Sequence, residues 1–305
     1  MKKKDFDFLL NLLQENAGWQ FDEAQYFIVD KKISNFIRNK NYNSVDDLIA
    51  ELKMGNKSLI SQVVEALAFS DTMFFRDWEV FSLFRNDILP KLKEKCRARK
   101  QIDIWSLGCS SGQETYSIAM MIDKSKKAFS DWQINIVGSD MSTLSINKAQ
   151  RGIYNNFEIQ TGICAEDILN YFENNNDQWQ AKEFLKNMVE FRKYNLLEDI
   201  IASSKFEIIF CRNVLRYFNE EKQDEILKRI SDKQPQGGYL ILGKGEKVPM
   251  IGKYYQKSSY NADIYIAVGN IDEPTKRMSN ISISAPKDNA NDIGMPSFVK
   301  PKNLI

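Results

Sequence analysis

The spacing of apolar residues changes once along the chain, near residue 100. Before that point the apolar positions recur at helical intervals. Phe6, Leu9, Leu10 and Leu13 make one stripe. Ile28, Ile33, Phe36 and Ile37 make a second, and Leu48, Ile49 and Leu52 a third. Steps of three and four residues put each set on one side of a helix. Ser44 ahead of Asp46 and Asp47 predicts a helix start, since its hydroxyl oxygen can accept from a free backbone N–H of the first turn. Further helices are expected over Ser58–Phe69 and Trp78–Leu89. The latter is expected to stop at Pro90, which lacks the N–H that a helix interior uses.

After the charged stretch Lys91–Lys100, short continuous apolar runs alternate with amphipathic segments. Strands are expected at Ile102–Leu107, Ile134–Gly138, Met188–Tyr194, Phe206–Cys211 and Gly238–Leu242. Helices are expected over Thr115–Ala128, from beyond Asp140 to Arg151, and over Glu220–Ile230. Tyr254-Tyr255 and Ile264–Val268 suit a closing hairpin. Strands that alternate with helices in this way predict a mostly parallel α/β sheet covered on both faces. Residues 158 to 187 break the alternation; they are polar, rich in Asn and carry Trp179, and predict a subdomain inserted at the sheet edge. From residue 270 onward Pro, Asn, Ser and Lys occur without an apolar period, the composition of a flexible tail.

Composition narrows the classes of function. With Lys+Arg 42 against Asp+Glu 41, the net charge is +1, which offers no global attraction to nucleic acid or to an anionic membrane. The four cysteines show no paired spacing, so a reduced cytoplasmic setting is expected rather than a disulfide framework. No apolar run approaches the ~18 residues of a membrane span. Lys2, Lys3 and Lys4 are followed by Asp5 and Asp7, which suits a first amphipathic helix better than a signal peptide. The chain has no histidine, which removes Ser-His-Asp and Cys-His catalysis and histidine-ligated metals; no metal site is expected.

The candidate chemistry lies at the strand ends. Gly108-Cys109-Ser110-Ser111-Gly112-Gln113-Glu114 follows the first strand. Asp140, Asn195 and Arg212-Asn213 each follow a later one. Loops and acids at successive strand ends build a nucleotide-type site in an open α/β sheet. This loop is neither G-x-G-x-x-G nor a phosphate loop ending in Lys-Ser/Thr. It suits an adenosyl ligand without phosphates, with S-adenosylmethionine as the leading candidate. Gly108 and Gly112 permit close backbone approach, or simply an ordinary strand-to-helix turn. Asp140 is placed either to bond ribose hydroxyls or to cap the next helix. Glu114 either steadies a helix start or faces the ligand. Thr72-Met73-Phe74-Phe75-Arg76 reads as an aromatic anchor holding a cation, or as a core Phe pair beside a solvated Arg.

Taken together, these segments resemble the CheR-type chemoreceptor glutamate methyltransferases. That family runs T-x-F-F-R, L-P, W-S-x-G-C-S-x-G-E-E-P-Y-S-I-A, x-D, A-x-x-G-x-Y, F-x-x-x-N-L-L, F-D-x-I-F-C-R-N-V-x-I-Y-F and G-x-L-x-L-G-H-S-E. Thr72–Arg76, Leu89-Pro90, Trp105–Ala119, Ser139-Asp140, Ala149–Tyr154, Phe191–Leu197, Phe206–Phe218 and Gly238–Glu246 match in the same order. The resemblance implies a Rossmann-like class I methyltransferase sheet. It implies an N-terminal helical domain (1–90), a cofactor-binding domain (91–270) with an inserted β-subdomain near 158–190, and a tail (271–305). It implies that Thr72, Arg76, Glu114, Asp140, Asn195, Leu196, Arg212 and Asn213 contact S-adenosylmethionine and its product S-adenosylhomocysteine. Arg76 and Tyr217 match the pair that positions the acceptor carboxylate and the methyl group.

The expected activity is protein-glutamate O-methylation on the cytoplasmic helices of methyl-accepting chemoreceptors, by a monomer that does not insert into the membrane. A carboxylate acceptor is compatible with the missing histidine, because it is already ionised at neutral pH and needs no general base. The chain departs from the family at Gln113-Glu114-Thr115, at Arg216 and at Lys244-Gly245-Glu246. Lys244-Gly245 and Arg216 keep in view a methyltransferase of the same fold with another acceptor; a further alternative is a non-enzymatic module that binds the cofactor or its product, against which the intact Arg76 and Tyr217 argue.

Overall fold

The computed structural model describes residues 1–21, 23–68, 71–198 and 205–269. Four helices come first: α1 (Lys3–Ala17), α2 (Tyr26–Lys40), α3 (Val45–Lys53) and α4 (Lys57–Leu67). Helix α1 buries Phe6, Leu9, Leu12 and Leu13 and ends on Gly18, whose left-handed backbone donates its N–H back to Gln14. Ser44 caps α3 by accepting from the Asp47 N–H, as its sequence position predicts. In α2 the buried stripe is Val29, Ile33 and Phe36, while Ile28 is 43% exposed. One residue is a turn of about 100°, enough to move Ile28 off the buried face.

The segment around Pro90 differs from expectation. Helix α5 (Trp78–Leu83) passes through a wider π turn (Phe84–Ile88) into α6 (Leu89–Lys95), so the helical path continues past the proline. Pro90 stands in the first turn of α6, where a missing N–H is tolerated, and the Leu89 N–H reaches back to Phe84.

The rest is the alternating α/β unit: β1 (Gln101–Leu107), α7 (Gln113–Lys124), β2 (Gln133–Asp140), α8 (Thr143–Arg151), β3 (Ile153–Asn155), α9 (Asn156–Gln160), α10 (Ala165–Tyr171), β4 (Phe172–Asn175), β5 (Gln178–Ala181), α11 (Glu183–Lys186), β6 (Val189–Lys193), β7 (Ile208–Cys211), α12 (Glu220–Asp232), β8 (Tyr239–Leu242), β9 (Tyr255–Lys257) and β10 (Ile264–Ala267). The main sheet has the order β6-β2-β1-β7-β8-β10-β9. Its first five strands are parallel, and β10 is antiparallel to both β8 and β9. Strands β3, β5 and β4 form a separate antiparallel sheet. The break in the alternation thus starts at Ile153, ahead of the expected residue 158, because β3 pairs with the distant β5. Buried Tyr154 ties this small sheet to the glycine loop by donating its hydroxyl to the Ser111 carbonyl at 2.7 Å.

Alternate residues along the central strands feed two cores. Ile102, Ile104, Ile208, Phe210 and Ile241 face one with α7, α8, α5 and α6. Trp105, Leu107, Ile209, Leu240 and Leu242 face the other, which also holds Ile226 and Ile230 of α12 and the buried stripes of α1 to α4. The N-terminal helices therefore share a core with the sheet. Among the described residues no helix is long and apolar enough to cross a membrane. The expected tail beyond residue 270 lies outside the described residues.

Candidate functional site: a cofactor cleft at the strand switch point

Beyond β1 the chain goes to β2 on one side of the sheet and later to β7 on the other. The C-terminal ends of these strands consequently open a crevice where ligands bind in such sheets. An open cleft of about 960 Å³ lies there. It is lined by Thr72, Arg76, Gly108, Glu114, Asp140, Asn195, Leu196, Arg212, Asn213 and Tyr217. Of the candidate cofactor-binding and catalytic positions, only Gly112 is not in the lining. Its φ of +93° and a built Cβ only 2.8 Å from that of Ala149 give it a different duty, letting the loop press against α8.

The glycine loop turns sharply off β1. The N–H groups of Gly108 and Cys109 both donate to the Ser139 carbonyl, at 2.8 and 2.9 Å. Gly108 has a φ of +73°, and a Cβ there would lie 2.5 Å from Val214 Cγ2. A side chain at Gly108 would push away the loop that carries Asn213 and Tyr217.

Asp140, at the end of β2, accepts from the Ser110 N–H through Oδ2 and from the Ser142 N–H through Oδ1, both at 2.9 Å. It does not cap α8; Ser142 does, accepting from the Ser145 N–H. Burial pushes the Asp140 carboxyl above its ordinary value, against the pull of these backbone bonds.

Glu114 and Arg212 form the charged floor. Glu114 Oε1 accepts from Ser106 Oγ at 2.8 Å, and its Oε2 lies 3.2 Å from Arg212 Nη1. The Arg212 side chain is 2% exposed. Its Nη2 donates to Asp77 Oδ2 at 2.5 Å and to the Arg76 carbonyl at 2.8 Å, and its guanidinium sits 5.6 Å from the centre of the Phe81 ring. One buried cation is thus shared by two carboxylates.

Arg76 donates to the Asp71 carbonyl and to Asp71 Oδ2, at 3.1 and 3.3 Å. The aromatic pair beside it is an anchor. Phe74 packs edge-on against Tyr154 and Phe172, and Phe75 against Trp78 and Phe81. Phe75 and Asp77 adopt φ of +48° and +56°. Such backbone costs about 1–3 kcal/mol per residue and persists only where surroundings hold it. Here the Phe75 N–H bonds Ser117 Oγ, and Arg212 grips Asp77.

Tyr217 is half-buried, and desolvation raises its hydroxyl pKa. The Phe21 ring stands edge-on to it at 6.0 Å, and the Arg216 guanidinium lies 5.7 Å from its ring centre. The loop is clamped from below by Glu246, whose carboxylate accepts from the N–H groups of Asn213, Arg216 and Gly243 at 2.8, 3.0 and 3.0 Å. Burial raises the Glu246 pKa as well. Lys244 is exposed and lies 3.8 Å from Glu79, so that departure sits outside the cleft. At the far wall, Asn195 Oδ1 accepts from the Leu197 N–H at 3.1 Å and the Leu196 carbonyl from Arg229 at 2.9 Å.

Several site residues escape sequence reasoning. Asp77 organises the cleft as a single acid that carries no pattern, and Glu246, although it ends the Gly238–Glu246 segment, carries no sequence sign that it holds the Arg212–Phe218 loop. Trp19, Met73 and Met141 line it from segments whose periodicity says nothing about a cleft.

Comparison with known proteins is consistent with this geometry. Residues 70–264 match the family model described as the CheR methyltransferase, SAM-binding domain. The chain is 31% identical over 256 residues to chemotaxis protein methyltransferase 1 of Pseudomonas aeruginosa, covering 83% of this chain and 93% of that protein. It is likewise 31% identical over 252 residues to the chemotaxis protein methyltransferase of Borreliella burgdorferi, covering 81% and 89%. With the family match running through both halves of the cleft, from Thr72 to Glu246, this chain belongs to the CheR methyltransferase family and is a methyltransferase that uses S-adenosylmethionine.

Proposed function

We propose that the protein transfers a methyl group to glutamate side chains on the cytoplasmic signalling helices of methyl-accepting chemoreceptors, producing an O-methyl ester. The observation that supports it best is the union, in one cleft, of Arg76 and Tyr217 with a net-negative floor and no imidazole base.

The residues present fit the cofactor. S-adenosylmethionine, when bound, supplies a methyl group activated on a sulfonium. The cleft lining carries Asp71, Glu114 and Asp140 against Arg76 and Arg212, and Asp77 pairs with Arg212 from just outside it, so the cleft favours a ligand with cationic centres. Asp140 accepts the Ser110 and Ser142 N–H groups on different oxygens, and a carboxylate has lone pairs enough to accept a ligand hydroxyl as well. Gly108 lets the backbone approach, and Asn195 and Leu196 close the opposite wall.

The acceptor's chemistry asks little of the protein beyond placement. A glutamate is ionised at neutral pH, so no residue has to remove a proton. Holding its oxygen in line with the methyl is worth roughly 7–11 kcal/mol. A planar guanidinium matches a carboxylate in charge and shape, and Arg76 is the guanidinium at the cleft that is not locked between two acids. The Tyr217 hydroxyl stands on the same wall and stays protonated, able to donate a hydrogen bond. Asp71 holds Arg76 in the free protein, and the incoming acceptor would take its place.

The test is methyl transfer from labelled cofactor to the receptors of the same organism. Label that enters the receptor and is released by mild alkali identifies a carboxyl ester. Label that survives alkali identifies a different acceptor, and cofactor binding without transfer identifies a sensor.

A further inference from the structure

Among the described residues, Trp19 is the one large aromatic side chain that the N-terminal helical region contributes to the cleft lining. It lies just beyond the α1 terminus, is 8% exposed and belongs to the lining of the cleft. The segment around it is pinned. The backbone of Trp19 pairs with that of Phe218, and the Gln20 N–H donates to the Tyr217 carbonyl at 2.7 Å. Gly18 packs so closely that a Cβ would come within 3.3 Å of Leu197 and 3.4 Å of Phe218. The indole is also 5.8 Å from the Phe21 ring, which itself meets Tyr217 edge-on.

We infer that residues 18–21 are a wall of the cofactor site, and that the Trp19 indole packs directly on bound S-adenosylmethionine or S-adenosylhomocysteine. This rests on the cleft being the cofactor site. A rigid aromatic ring fixed by backbone pairing loses little freedom on binding and removes a large apolar face, the ligand's or its own, from water. The strap adjoins the Arg212–Phe218 loop, so the helices that precede the catalytic domain complete its ligand site. Holding the strap and Tyr217 by the same hydrogen bond also sets the reacting end and the ligand wall in one register.

The test compares wild type with Trp19→Phe and Trp19→Leu in the full chain. S-adenosylhomocysteine is titrated by calorimetry and by intrinsic fluorescence, and melting temperature is followed alongside. Ring contact predicts that Trp19→Leu weakens affinity roughly three- to tenfold and that Trp19→Phe retains most of it. In both variants the ligand-dependent change in tryptophan emission should shrink to what the other four tryptophans supply. A ring that only packs α1 on Phe218 predicts a lower melting temperature with unchanged affinity and an unchanged fluorescence response; that result overturns the inference. A wild-type emission indifferent to ligand overturns it too. An Asp140→Ala control separates the two levels. If neither Asp140→Ala nor the Trp19 variants alter binding, the cleft assignment fails; if Asp140→Ala alone does, only the role of Trp19 fails.

Discussion

Arg212 shows how much one side chain settles at this site. It is buried, it neutralises Glu114 and Asp77, and it secures a backbone carbonyl on a strained turn. Arg212→Ala would leave two carboxylates facing each other without their cation, at a cost of about 3–5 kcal/mol. Arg212→Lys should recover little of it, because an ammonium cannot reach three acceptors in the plane of a fork. Urea unfolding of both variants measures this; a wild-type midpoint for Arg212→Lys would show that charge alone suffices.

Tyr217 makes the opposite kind of prediction. Tyr217→Phe keeps the ring that meets Phe21 and removes only the hydroxyl. Turnover should fall roughly ten- to a hundredfold, about 1.4–2.7 kcal/mol of barrier, with cofactor affinity little changed. Single-turnover transfer at the wild-type rate would leave the hydroxyl without a catalytic part.

Asp140 adds a pH dependence. Its pKa is raised by burial, and ligand hydroxyls bond the ionised carboxylate better than the acid. Affinity should therefore be full well above the raised pKa and fall as pH drops through it, in a window above the ordinary 3.8. The stability of the free protein carries the reverse sign. The contribution of a raised acid is present below 3.8 and is lost as pH rises through the folded value. Calorimetric affinities from neutral to mildly acid pH check the first statement. The Asp140→Asn variant should bind weakly and without that acid limb.

At the scale of elements, the glycine loop and the Arg212–Phe218 loop are one construction. They touch at Gly108 and Val214, and Glu246 holds the second loop by the N–H groups of Asn213 and Arg216. Gly108→Ala would pay a left-handed backbone penalty of about 1–2 kcal/mol and force Val214 aside. It should lower the melting temperature and abolish most cofactor binding together. A variant that melts lower but binds normally would show that the loops adjust independently. The helical path from α5 through the π turn to α6 is likewise joined to the site, since α5 supplies the Phe81 ring under Arg212 and Asp77 stands just ahead of it.

At the scale of the whole molecule, the N-terminal helices and one face of the sheet share a continuous core, and Trp19 pairs with Phe218 across them. Melting followed by far-ultraviolet dichroism and by tryptophan fluorescence should give coincident transitions. Two separated transitions would show that α1 to α4 melt apart from the sheet. The sequence by itself carried a good deal of this molecule. Continuous apolar strands and their alternation with helices made the parallel sheet legible, because burial on both faces leaves no polar period. The strand-end residues Asp140 and Arg212 were legible for the same reason, since a polar residue at the end of a largely apolar run marks the sheet's C-terminal edge; Asn195 follows the edge strand β6, whose Glu190, Arg192 and Lys193 are exposed. What only the tertiary structure decided were relations between distant segments. Asp77 and Glu114 meet Arg212, Glu246 holds Asn213, and Trp19 reaches Phe218, each across a long stretch of chain. Periodicity reports which face of an element is buried, and stops short of which other element covers it.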